Sequence, residues 1–162
     1  MKNTEAANKL TIRVATVDDL DLVTELCAAH AAFEQLQYDP SGQKDRLALA
    51  ITGYTPRLTI FLAETECAVV GYASATLEYS TWTAAEFLHM DCLYVDENLH
   101  GQGIGRDLFT AVRNFAIELG ASEIQWQTPD WNAAAIGFYR SLGAKDRNKF
   151  RFSFSTSSDR QR

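Results

Sequence analysis

The chain has 162 residues, 46% hydrophobic and 22% charged, which is enough for one globular domain (1–162) with a buried core. A formal charge of −6 argues against non-specific nucleic-acid binding, and no apolar run nears the roughly 20 residues that span a bilayer. Cys27, Cys67 and Cys92 are odd in number, widely spaced and form no C-x-x-C pair, which fits reduced thiols in a cytoplasmic protein and argues against a structural zinc site.

The polar N-terminus lacks the apolar stretch of a signal peptide. Residues 10–14 alternate apolar and polar side chains and predict a first strand. Asp18 is then placed to cap a helix, with Asp19 and Asp21 in its first turn. Leu22, Leu26, Ala29 and Phe33 share one face of that helix, Val23 and Cys27 flank it, and His30 and Glu34 lie one turn apart near its end. Asp39-Pro40-Ser41-Gly42 breaks the pattern, and a shorter helix is expected over 43–51. Residues 58–63 and 69–77 read as an antiparallel hairpin, followed by a polar and aromatic link, 79–83, to a third strand over 87–95.

Next comes His100-Gly101-Gln102-Gly103-Ile104-Gly105-Arg106. Behind it Ile104, Leu108, Ala111, Val112, Phe115 and Leu119 form a helical stripe that Gly120 ends. Strand, glycine-rich turn and helix thus follow one another, an order that offers backbone N–H groups and a positive helix end to a phosphate. Arg106 stands where the dinucleotide fingerprint requires a third glycine, and the G-K-[ST] of a nucleotide-hydrolase loop is missing. Arg106, one residue inside the helix, is unfavourable at the positive end of the dipole unless an anion sits there. The chain continues with a strand at 123–128, a loop at 129–131 and a helix at 132–142 ended by Gly143. Phe150, Phe152 and Phe154 alternate with polar residues and predict a last strand with one buried face, and 155–162 a frayed tail.

Two of these stretches carry a resemblance. His100, Gly103 and Gly105 align with the (R/Q)-x-x-G-x-(G/A) signature of the GNAT acetyltransferase superfamily, and 132–143 matches its N-x-x-A-x-x-F-Y-x-x-L-G pattern. Residues 90–95 resemble the family's central strand. The resemblance implies an α+β fold, α/β/α in layers, with a central, mostly antiparallel mixed sheet and a splayed central strand. It also implies an acetyl-CoA-dependent N-acetyltransferase that uses no metal. Leu93, Tyr94 and Val95 would then meet the pantetheine arm as a strand neighbour. His100, Gly101, Gln102, Gly103, Ile104, Gly105 and Arg106 would surround the pyrophosphate, and Asn132 and Phe138 would complete the cofactor site. His100 replaces the family's arginine or glutamine, and its side chain is expected to point to solvent.

Transfer to an amine needs a base for the ammonium, a polarised carbonyl and an acid for the departing thiolate. Asp91 aligns with an acidic position of polyamine-type members, as base through water or as anchor for the cationic substrate. Tyr139 aligns with the family's tyrosine acid. Segments 30–34, 79–82 and 130–132 resemble the spermidine/spermine N-acetyltransferase-like branch. They imply an acceptor pocket of His30, Glu34, Tyr79, Trp82 and His89, with a cation–π face from Trp82 or Tyr79. Cys92 replaces an acid common beside the base in that branch. The expected acceptor is a polyamine, diamine or amino-acid-like amine. The alternatives are an aminoglycoside-type acceptor or a silent acyl-CoA sensor. A homodimer is expected, as is common in the branch.

Overall fold

The computed structural model of the chain describes residues 9–156. The signal-free N-terminus expected over the first residues, and most of the expected frayed tail, lie outside them. Two compact units form, Met1–Gln127 and Thr128–Arg162.

The first unit holds a five-stranded sheet in the order β1 (Thr11–Val14), β2 (Thr59–Glu64), β3 (Val69–Ser80), β4 (Ala85–Val95), β5 (Ile124–Gln125). Neighbours are antiparallel except β4 and β5, which run parallel. The helices of this unit are α1 (Leu20–Phe33), α2 (Gln43–Ile51) and α3 (Ile104–Glu118). The expected mixed α+β architecture is therefore present.

The cap of α1 differs from the expected Asp18. Thr16 and Asp19 form a capping box around a 3-10 turn, Val17–Asp19, and the Asp19 carboxylate receives both terminal nitrogens of Arg13 at 2.7 and 2.8 Å. Helix α1 therefore starts at Leu20, and its inward seam runs through Leu20 and Val23, with Leu26 and Cys27 packed beside them, while Leu22 is 42% exposed. Continued at helical spacing, that seam ends on His30 and Glu34.

Alternation along β2 assigns each helix its face of the sheet. Ile60 and Leu62 pack with Leu20, Val23 and Tyr72 and with Leu47 and Ile51 of α2, whereas Phe61 meets Phe115 of α3 at 5.6 Å between ring centres. On α3 the buried stripe is Ile104, Leu108, Val112 and Ala116.

Strand β4 carries one irregularity. Ser74 opposes Cys92 and Ala75 opposes Met90, so Asp91 is an extra residue, a β-bulge. Before the bulge Leu88 and Met90 are buried; beyond it Cys92 and Tyr94 pack against the core of α1 and α2. Strand β5 pairs only with Leu88 and His89, so it is far shorter than the expected 123–128. Pairing stops where the bulge re-aims β4, and Pro129 beyond it has no N–H to donate.

In the second unit, α4 (Ala133–Ser141) is the only regular element among the described residues. The predicted last strand is corrected: Phe150, Phe152 and Phe154 carry no regular structure and are each at least 90% exposed. A strand needs a neighbour for its N–H and C=O groups, and the described part of this unit contains none.

Candidate active site

The site is built around β4. The Asp96 N–H donates to the Val70 carbonyl at 2.9 Å, which fixes the antiparallel phase against β3. Tyr94 therefore spends its backbone groups on Tyr72, while Leu93 and Val95 turn theirs to the opposite edge. Beyond His89 no strand of the sheet pairs with that edge among the described residues. It offers the backbone of an extended ligand the place of a further strand.

The edge leads to the glycine turn. Gly101 and Gly103 adopt φ of 79° and 90°, values that favour glycine, and beyond the adjoining residues open space surrounds the place where a Cβ would stand on either. Gly103 is the N-cap of α3 and has no side chain to occupy the helix end. Ile104 and Gly105 thus direct backbone N–H groups outward, beside exposed Gln102 and Arg106. Strand edge and turn together fit a pantetheine arm followed by a pyrophosphate.

His100 is exposed, as expected, but its ring is not free. Its Nε2 lies 2.9 Å from the Val95 carbonyl oxygen, so the ring ties the turn to the end of β4. It occupies one of the outward acceptors and leaves the N–H groups of Leu93 and Val95 on the open edge.

On the α1 face, Tyr72 is buried and its hydroxyl lies 3.1 Å from His30 Nδ1. His30 Nε2 is 3.5 Å from Glu34 Oε1. Tyr94 stacks on the His30 ring at 5.2 Å with 24° between planes. Tyr94 therefore departs from the expected cofactor role, since its backbone is paired with β3 and its ring packs on His30. The bulge brings the Asp91 carboxylate to 3.6 Å from Cys92 Sγ while leaving Asp91 exposed.

Burial pulls the His30 pKa below its ordinary value, while Glu34 and then Asp91 push it back up. Burial likewise pushes the Cys92 thiol up to about 12, with Asp91 adding to it. Burial raises Cys27 as well, and the Tyr72 phenol stays protonated, well above the usual tyrosine range. The cluster thus presents two carboxylates beside uncharged neighbours. Glu34 stands at the C-terminal end of α1, where the helix dipole disfavours a carboxylate and favours a cation nearby.

Not every expected residue joins this cluster. His89 opposes Thr76 two residues before Asp91, on the same strand. Tyr79 and Trp82 stand at the far tip of the β3–β4 hairpin, 64% and 97% exposed. Six residues of β4 separate that tip from Asp91, about 20 Å at strand rise. In the second unit, Asn132 caps α4, its side-chain oxygen accepting from the Ala135 N–H at 3.0 Å. Phe138 and Tyr139 lie with ring centres 5.2 Å apart. Among the described residues no cluster of three His, Cys, Asp or Glu could hold a metal ion, and no helix is long and apolar enough to cross a membrane.

Sequence reasoning missed Tyr72. A tyrosine in a hairpin strand carries no signal of its own; only the register, which sets it opposite Tyr94 and under His30, reveals its role.

An open strand edge, a glycine turn at a helix N-terminus and the carboxylates of Asp91 and Glu34 suit an acyl-transferring enzyme. The acetyltransferase (GNAT) family model matches residues 23–144, and the chain belongs to that family. It is 30% identical over 143 residues to the thialysine N-epsilon-acetyltransferase of Bos taurus, covering 83% of this chain and 84% of the relative. It is also 31% identical over 77 residues to an L-ornithine N5-acetyltransferase of Arabidopsis thaliana, 48% of this chain and 34% of that one. Among solved structures, an aminoglycoside acetyltransferase from an uncultured soil metagenomic sample, in complex with sisomicin, superposes with a TM-score of 0.80 at 23% identity, covering 94% of this chain and 100% of that one. That likeness concerns the fold. The chain is an N-acetyltransferase.

Proposed function

We propose that the enzyme transfers acetyl from acetyl-CoA to a primary amine of a small cationic acceptor: a polyamine, a diamine or an amino-acid-like amine. The observation that carries this reading is the bulge at Asp91. It puts the Asp91 carboxylate two residues before Leu93, on the strand with the open edge, and near enough to His30 to act on its charge. Two of the relatives, by name, act on amino acids with a side-chain amine, which supports the same acceptor class.

When bound, acetyl-CoA supplies the activated acetyl thioester. Leu93 and Val95 hold the pantetheine arm by backbone hydrogen bonds, and Gly101 through Arg106, with His100, line the pyrophosphate. Asn132 and Phe138 are assigned cofactor-binding roles on the strength of the signature they belong to. Asp91 takes the proton from the acceptor ammonium through water, a necessary step because an alkyl amine with a pKa near 10 is almost wholly protonated at neutral pH. The Leu93 N–H polarises the reacting carbonyl. Tyr139 gives its phenolic proton to the departing sulfur. Glu34 holds a second positive charge of the acceptor, and His89 borders the same face. Tyr79 and Trp82 lie too far along the hairpin to stack on an ammonium at Asp91, and they suit the distal part of a long acceptor. We take the enzyme to be a single catalytic domain working in the cytoplasm, a reading that its three unpaired cysteines support. Two copies associate through the exposed phenylalanines of the C-terminal segment.

The test is release of free thiol from acetyl-CoA across polyamines, diamines, basic amino acids and aminoglycosides. Turnover of the first three classes is expected. Preference for aminoglycosides moves the acceptor to that class. Tight acetyl-CoA binding in calorimetry with no amine turned over identifies a silent sensor and overturns the enzyme reading.

A further inference from the structure

The His30 ring is held at both nitrogens and on one face. Tyr72 of β3 meets Nδ1, Glu34 of α1 meets Nε2, and Tyr94 of β4 covers one ring face. An ionised carboxylate only accepts, so the neutral ring carries its proton on Nε2, directed at Glu34, and Nδ1 accepts from the Tyr72 hydroxyl. A second proton has a place to go. It enters at Nδ1, and the Tyr72 hydroxyl turns its hydrogen to Cys92 or Cys27, the thiols on its other side. His30 then becomes a cation whose nearest anion is Glu34.

We propose that His30 is a specificity-determining residue: its imidazolium form is an internal competitor that occupies Glu34 in place of the second ammonium of a two-charged acceptor. The idea rests on the acceptor reading above and adds a rule to it. With His30 neutral, Glu34 and Asp91 are both available, and a diamine is preferred over a monoamine of equal length. With His30 protonated, Glu34 is neutralised and only Asp91 remains, so the preference disappears. The charged and titratable groups facing the ring are Glu34 and Cys27 on α1, Tyr72 on β3, and Asp91, Cys92 and Tyr94 on β4. Lys44 and Arg46 of α2 are bonded elsewhere, to Asp21 and to the Ser41 carbonyl. Of these groups His30 is the one whose ordinary pKa lies in the neutral range. Burial holds the ring neutral at higher pH and the two carboxylates keep its protonation within reach.

The experiment compares 1,5-diaminopentane with n-pentylamine in the full-length enzyme. Both amines need the same deprotonation, so the ratio of their kcat/KM values isolates the second charge. In the wild type the ratio is expected to be level at high pH and to fall by up to tenfold per pH unit below the His30 pKa. In His30→Gln it stays level throughout. Imidazole NMR titration, with the His30 resonance assigned by its loss in His30→Gln, gives a readout apart from turnover. Saturating diaminopentane should lower the His30 pKa by about one unit, the reciprocal of its effect on binding, and pentylamine, which offsets only the smaller influence of Asp91, should lower it clearly less. Tyr72→Phe, which keeps the ring and loses the bond to Nδ1, should shift the same titration. A wild-type ratio that does not change with pH, or equal NMR shifts from both amines while both are acetylated, overturns the proposal and leaves the acceptor reading standing. If neither amine binds or reacts, the acceptor reading itself fails and the proposal falls with it.

Discussion

Asp91 illustrates what residue types reveal and what they conceal. Its acidity and alignment mark it in the sequence, but plain alternation only places it with His89 and gives no reason for it to meet Cys92. The unpaired position in the bulge repeats that face at the next residue, and so brings carboxylate, thiol, phenol and imidazole into one cluster. His100 shows the reverse: nothing in its type foretold that its ring would turn back to the Val95 carbonyl. A separate residue-scale test concerns the start of α1. Arg13 grips both oxygens of Asp19, and the Thr16 N–H donates to it at 2.8 Å, so the carboxyl is held well below the usual range, first by Arg13. The folded-state pKa is depressed, so this stabilisation is complete above the unfolded value near 3.9 and is lost as pH falls below it. Asp19→Asn should cost about 2 kcal/mol in urea unfolding at pH 7. The gap from wild type should narrow steadily below about pH 4.

At the scale of elements, the strand–turn–helix around 100–106 was readable from its glycines, because left-handed φ is a requirement that few other residues meet. Gly103→Val should weaken acetyl-CoA binding by about tenfold, since a β-branched residue at φ 90° forces the turn out of shape. Isothermal calorimetry with acetyl-CoA checks this. Gly71 has a different reason to be glycine. A Cβ there would stand 2.6 Å from the Tyr94 carbonyl oxygen, so Gly71→Ala should pry β3 from β4 and lower stability by about 1–3 kcal/mol, read in thermal and urea unfolding. The helix starting at Gln43 was legible from its Pro-Ser-Gly punctuation. The buried seam of α1 was less so, because several overlapping apolar faces can be drawn on a sequence rich in alanine. Packing against Ile60, Leu62 and Tyr72 selects the one that ends on His30 and Glu34.

At the scale of the molecule, order along the chain announced the fold, since alternation, helical stripes and two family signatures agree over most of its length. What failed was the last strand. Three alternating phenylalanines satisfy a strand pattern, yet they remain exposed without a neighbour to pair with. Changing Phe150, Phe152 and Phe154 to serine should convert the expected dimer to a monomer in sedimentation velocity, with the circular dichroism of the sheet retained. A wild type that sediments as a monomer contradicts this part of the account.

The central claim is that one strand, β4, serves both substrates: its open edge holds the donor and its bulge presents the base. The most direct measurement is steady-state kinetics of Asp91→Asn and Tyr139→Phe on the best amine, with acetyl-CoA affinity measured alongside. Each variant should lose about 10²-fold or more in kcat while its acetyl-CoA Kd stays within about twofold of wild type. Full turnover in both variants, or a loss explained wholly by weaker acetyl-CoA binding, contradicts the assignment.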